Sequence, residues 1–98
     1  MKRYILTLLL FIGSLSVSLA QNKVSGTITD FESNPLPGVT IIVKGTQNGV
    51  ASDANGRYSI SVADKDVLVY SFIGMISREL QYNGQSTLDI KMIPDDYE

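Results

Sequence analysis

The chain has 98 residues, a formal net charge of −2, and neither histidine nor cysteine. Those absences exclude imidazole bases, thiolate nucleophiles, disulfides and His- or Cys-ligated metal sites. The mildly acidic balance, with Lys and Arg scattered, also speaks against nucleic acid as a partner, because its binders concentrate positive charge.

In chain order, Lys2 and Arg3 precede an uncharged run from Ile5 to Leu19, and Ser18-Leu19-Ala20 ends it with small residues where a signal peptidase reads. The run is interrupted by Gly13, Ser14, Ser16 and Ser18 and is shorter than the about 20 apolar residues of a membrane span. Residues 1–20 are therefore expected to be a signal peptide, cleaved between Ala20 and Gln21. No cysteine follows Ala20 to carry a lipid. Beyond it, six Lys/Arg face ten Asp/Glu, a net of −4. A remainder this short makes one domain, and with no disulfide its core holds by packing alone. So small a core leaves little room for a water-excluding pocket.

Turn signals then recur at short intervals: Asn34-Pro35-Leu36-Pro37-Gly38, Asn48-Gly49, Asn55-Gly56, Ala63-Asp64-Lys65-Asp66, Gly74 and Asn83-Gly84. Asn-Gly is a strong hairpin signal, since both residues tolerate the positive φ of a type I′ turn. Between the turns the side chains alternate with period two. Val24, Gly26 and Ile28 share one face. So do Val39, Ile41 and Val43; Tyr58, Ile60 and Val62; and Leu88, Ile90 and Met92. Val50 to Asp53 is a short, weak strand. Val67 to Ile73 is apolar on both faces apart from Ser71, which predicts a central strand covered on both sides, with Phe72 in the core. Ile76, Leu80 and Tyr82 share a face that Arg78 interrupts. About seven strands with no helical period predict an all-β fold, a seven-stranded antiparallel two-layer sandwich spanning residues 21–93. Residues 94–98 leave the alternation and turn acidic, as the start of a linker or tail would.

The ordered set Val24-Ser-Gly-Thr-Ile-Thr-Asp30, Pro35-Leu-Pro-Gly-Val39, Val43-Lys-Gly-Thr46, Gly49, Ser52-Asp53, Asn55-Gly-Arg-Tyr-Ser59 and Val69-Tyr-Ser-Phe-Ile-Gly74 resembles the carboxypeptidase-regulatory-like domain, a transthyretin-like sandwich. More narrowly, it looks like the copy that follows the signal peptide in SusC/RagA-type TonB-dependent outer-membrane transporters of Bacteroidetes. The resemblance spans about residues 23–93. It implies a non-catalytic accessory domain at the periplasmic face of the outer membrane. The partners it implies are the plug and barrel of a nutrient (glycan or peptide) transporter, the TonB energising system and a SusD-like surface lipoprotein. Family members often carry Gly near Ser33 and an aromatic residue where Met75 stands. The plug and barrel of such a transporter lie outside these 98 residues.

The motifs also have structural work to do. Pro35 to Gly38 fixes φ twice and then frees it for a reversal. Gly45 can leave strand geometry. Asp53-Ala-Asn-Gly56 is an Asx-type turn, and Tyr58 places a ring in the core with a hydroxyl in need of a partner. A search for chemistry finds no catalytic, cofactor-binding or metal-binding residues. Ser25, Ser59, Ser61, Ser71 and Ser77 lie on predicted strands with no base nearby. Asp64 with Asp66 sits in a solvated loop, and Asp95 with Asp96 in the solvated tail. Asp30, Glu32 and Asn34 space oxygens two apart, as a calcium loop begins, but Pro35 stands where that loop needs Gly and its distal Glu is missing, so a polar turn is expected. Gly45 to Gly49 lacks the Lys and the helix of a phosphate loop. A carbohydrate platform would need exposed aromatics, and Phe31 with Tyr82 is the one pair placed for it. The alternative to the transporter domain is a stand-alone secreted ligand- or carbohydrate-binding module.

Overall fold

A computed structural model describes residues 22–96. The expected signal peptide and its cleavage point lie outside the described residues, as do Tyr97 and Glu98. Seven strands occur among the described residues, with no helix: β1 (Asn22–Thr29), β2 (Thr40–Val43), β3 (Gly49–Ala51), β4 (Arg57–Val62), β5 (Val67–Ser71), β6 (Arg78–Gln81) and β7 (Ile90–Lys91). They form two sheets, ordered β4-β1-β7 and β3-β2-β5-β6. The expected two-layer sandwich is what forms, because each strand has one apolar face and two such sheets bury those faces against each other.

Alternation sets the register. Val24 stands opposite Ile60 and Gly26 opposite Tyr58 in the β1–β4 pair. Ile41 opposes Tyr70, and Val43 opposes Leu68, between β2 and β5. One core results: Val24, Ile28, Ile60, Val62, Ile90 and Met92 from the three-stranded side meet Val39, Ile41, Val43, Leu68, Tyr70 and Tyr82. Gly26 lies where that packing is tightest. A Cβ there would run into the carbonyl oxygen of Leu88, with the Tyr58 ring 3.1 Å away.

Strand directions define two poles. β1 runs away from its start at Asn22 towards Thr29, and Asn22 pairs with Val62 at the end of β4. That N-terminal pole also holds the reversals Lys44–Asn48, Ala63–Asp66 and Tyr82–Thr87. The opposite, C-terminal pole gathers Asp30–Val39, Ser52–Gly56, Phe72–Ser77 and the departing segment Met92–Asp96.

Four features depart from expectation. The β1–β7 pair is parallel, with Ile28 opposite Ile90. β6 ends at the N-terminal pole, so the short segment after Tyr82 must start β7 where β1 also starts. None of the three Asn-Gly pairs forms a type I′ turn. Gly56 and Gly84 have positive φ, but Asn48, Asn55, Asn83 and Gly49 do not. The β2–β3 reversal instead turns at Lys44 to Gln47, with Gly45 at φ 81°. β5 is central within its sheet but covered on one face only: Leu68 and Tyr70 are buried, Val67 and Val69 half-buried, and Ile73 is 96% exposed. A two-layer fold has nothing to place over the outer face. For the same reason Phe72 is a half-buried residue packed at the margin of the core and not within it.

Candidate functional site

The chemistry-bearing residues do not converge. Ser25, Ser59 and Ser61 sit on the three-stranded sheet, Ser71 on β5 and Ser77 ahead of β6. Asp66 closes its own turn, accepting from the Ala63 N–H at 2.9 Å at the N-terminal pole. Asp95 and Asp96 lie exposed at the other pole. Among the described residues, no three acidic side chains gather as metal ligands would. Phe31, 40% exposed, is at the C-terminal pole, whereas Tyr82 is buried to 4% at the N-terminal pole. The aromatic pair a sugar platform would need is therefore not made.

Asp30 is committed to its own turn. One of its carboxylate oxygens accepts from the backbone N–H groups of Glu32 at 2.8 Å and Asn34 at 2.9 Å. The other accepts from the Asn34 side chain at 3.2 Å. The Asn34 backbone bond is the main reason that the Asp30 carboxyl titrates below its ordinary value. Asp53 acts in the same way, accepting from the N–H groups of Asn55 and Arg57, both at 2.9 Å. Both carboxylates brace their own turns through backbone N–H groups.

What the C-terminal pole does contain is a buried clamp. The Ser52 hydroxyl accepts from the Val39 N–H at 2.9 Å and donates to the Leu36 carbonyl at 2.7 Å. Around it, the Gly38 N–H donates to Ser52 O, and the Ser52 N–H to Val39 O, both at 2.9 Å. Period two alone places Ser52 on the inward face with Val50, the signal by which a buried hydroxyl was legible. Gly56 fits beneath: a Cβ there would stand 2.5 Å from the Ile28 carbonyl oxygen. Between the sheets, Tyr58 and Tyr70 meet edge-to-face with centroids 5.6 Å apart. The Tyr58 hydroxyl donates to Leu88 O at 2.6 Å, so its single proton is used and Tyr70 donates to Tyr58 at 2.7 Å. Burial raises both phenol pKa values, Tyr58 the more.

Against this clamp the same pole exposes apolar side chains. Ile73 is 96% exposed and Ile76 49%. Ile73 and Phe72 wall a shallow groove of about 400 Å³, completed by Gly38, Thr40 and Ser71. Its only polar side chains are the hydroxyls of Thr40 and Ser71, and no charged residue lines it. The feature suits a surface to be covered.

Residues 24–97 match the CarboxypepD_reg-like domain family. Three relatives are TonB-dependent receptors. Receptor P39 of Formosa agariphila is 42% identical over 74 residues, 74% of this chain and 7% of that protein. Receptor P3 of the same organism is 36% identical over 100 residues, covering 100% of this chain and 10% of its own length. SusC of Bacteroides thetaiotaomicron is 33% identical over 78 residues, 80% of this chain and 8% of that receptor. The chain thus spans a tenth or less of these relatives. Among solved structures, a chain of the type II Cohesin-X-Dockerin complex Coh3ScaB-XDoc_M1ScaA from Acetivibrio cellulolyticus superposes with a TM-score of 0.64 at 21% identity. That match covers 76% of this chain and 59% of the other, a likeness of fold.

Proposed function

Because the chain belongs to the CarboxypepD_reg-like domain family, we propose that it is the front end of a TonB-dependent outer-membrane transporter and acts there as a non-catalytic accessory domain. The observation that carries this reading is the match to receptor P3, which runs the whole length of this chain, its apolar leading segment included, yet spans 10% of that receptor. On this reading residues 1–20 direct export and are removed before Gln21, and residues 21–93 fold on the periplasmic side of the outer membrane. The tail from Pro94 leads to the plug and barrel. The TonB system and a SusD-like lipoprotein are the further partners, and the transported nutrient is a glycan or peptide recognised elsewhere in the polypeptide.

The geometry supports a module held in line. The described chain begins at one pole and departs from the other, so the fold works as a spacer whose two ends face different neighbours. The absence of imidazole and thiol, and the engagement of Asp30 and Asp53 in their own turns, support a role without bond-making chemistry.

Immunodetection with an antibody raised against the domain tests the proposal. The expected antigen is an outer-membrane polypeptide roughly ten times the length of this chain, since the chain spans 10% of receptor P3, with Gln21 as its first residue. A released product ending at Glu98 would overturn the proposal and leave the secreted binding module.

A further inference from the structure

We propose that the apolar loop Phe72–Ile76 is a docking surface for the segment of the same polypeptide that follows this domain, and that the fold presents the departing chain to that surface. The inference rests on the transporter reading above. The loop is an unusual place for apolar groups. Ile73 is 96% exposed and Ile76 49%, while Phe72 and Met75 are half-buried on the margin of the core. A β-branched residue gains nothing by standing in water at the tip of a left-handed turn, where Gly74 (φ 78°) already supplies the conformation.

The departing chain is tied to this loop by two backbone hydrogen bonds. The Ile76 N–H donates to Ile93 O at 2.8 Å, and the Asp95 N–H to Gly74 O at 2.9 Å. Between them Met75 and Pro94 form an antiparallel bridge. Asp95 is thus held against Gly74, the neighbour of Ile73, and Asp95 and Asp96 are both exposed there. Two isoleucines and a shallow groove are too small to hold a separate protein, whose stable interfaces bury about 1,200 Å² or more. A tethered neighbour needs far less, because a short linker raises its effective concentration to about the millimolar range. Size therefore selects the tethered occupant over a second copy or a free partner. The occupant's complementary face is apolar with a basic rim, to answer Asp95 and Asp96.

The absence of cysteine makes the test direct. Ile73→Cys, with any cysteine elsewhere in the receptor replaced by serine, is labelled with a maleimide in two proteins: the exported chain ending at Glu98 and the detergent-solubilised full-length receptor. Gln47→Cys, exposed at the opposite pole, is the control. The expected result is labelling at position 73 slower by about tenfold or more in the receptor, with labelling at position 47 equal in both. Equal rates at position 73 in a receptor of full length overturn the docking inference and leave the transporter reading intact. Protection in the short chain that vanishes on dilution would instead identify a second copy, and protection only in lipid vesicles a bilayer. Either outcome overturns the tethered occupant. A polypeptide that ends at Glu98 defeats the transporter reading, and the inference with it.

Discussion

At the N-terminal pole the reversals are closed by exposed or half-buried groups. The Thr46 hydroxyl bonds to Val43 O at 2.8 Å, Asp66 accepts from Ala63, and Gln85 accepts from the Asn83 N–H at 2.6 Å. At the C-terminal pole Asp30 and Asp53 also brace their turns from outside, but a further brace goes inside. Ser52 is buried beneath the proline loop, Gly56 is wedged against the backbone of Ile28 and Leu36, and the apolar side chains of Ile73 and Ile76 are left outside. One pole follows the usual rule of polar groups out and apolar groups in. The other adds a buried hydroxyl and an uncovered apolar loop, and that loop is bonded to the departing chain. A rigid, internally braced rim carrying an uncovered apolar loop is what a surface poised to receive a neighbour requires. Four measurements can break or sharpen this contrast.

The largest effect is expected from matched glycine substitutions. Gly56→Ala and Gly84→Ala both place a side chain at positive φ, 75° and 94°. Only Gly56 also meets backbone, while nothing lies within 4 Å of a Cβ at Gly84. Urea denaturation should show Gly56→Ala losing about 3 kcal/mol and Gly84→Ala about 1 kcal/mol. Equal losses would mean that the C-terminal pole is no more tightly built than the other.

Next, Ser52→Ala strips the partner from the Val39 N–H and the Leu36 carbonyl, for an expected loss of about 1–3 kcal/mol by the same method. Thr46→Ala, its exposed counterpart, should cost less than about 1 kcal/mol. A Ser52 variant as stable as the parent would show that water enters the clamp and replaces the hydroxyl.

The tyrosine pair between the poles responds to alkali. Both phenols have folded pKa values raised above the ordinary 10.0. The folded state therefore retains protons that the unfolded state releases, so their contribution is complete below pH 10 and is lost as pH rises above it. Stability should fall by up to about 1.4 kcal/mol per pH unit for each tyrosine. The fall should be absent in a Tyr58→Phe, Tyr70→Phe variant followed by chemical denaturation between about pH 9 and about pH 11. A variant that keeps the slope would assign it to other groups. Asp30 works in the opposite sense. Its folded pKa lies below the ordinary 3.8, so what it contributes is present above that value and is lost as pH falls through the lower folded one.

The smallest effect is the most telling. Ile73→Ser should change the stability of the chain itself by no more than about 0.5 kcal/mol, because the side chain touches almost nothing within the domain. A loss above about 1 kcal/mol in the melting profile would make Ile73 a structural residue and remove the contrast between the poles.

Much of the architecture follows from the sequence alone. Strict period-two alternation settled which side chains of β1, β2, β4 and β7 point inward, because successive side chains in a strand must face opposite ways. The Asp53-Ala-Asn-Gly56 turn was legible because its bonds are local, and the absence of histidine and cysteine excluded whole classes of chemistry outright. What could not be read locally was whatever depends on the pole at which a segment arrives. The parallel β1–β7 pair follows from the end at which β6 stops. The separation of Tyr82 from Phe31 follows from the opposite poles at which they lie, and the half-exposure of Phe72 and the full exposure of Ile73 from there being two layers and no third. The roles of Gly26 and Ser52 depend on what the other strands bring against them: the Leu88 carbonyl in one case, and the Leu36 carbonyl with the Val39 N–H in the other. Alternation is a property of neighbours in sequence, whereas coverage is a property of neighbours in space. Only the packed sandwich decided which apolar residues found cover and which were left at the mouth of the departing chain.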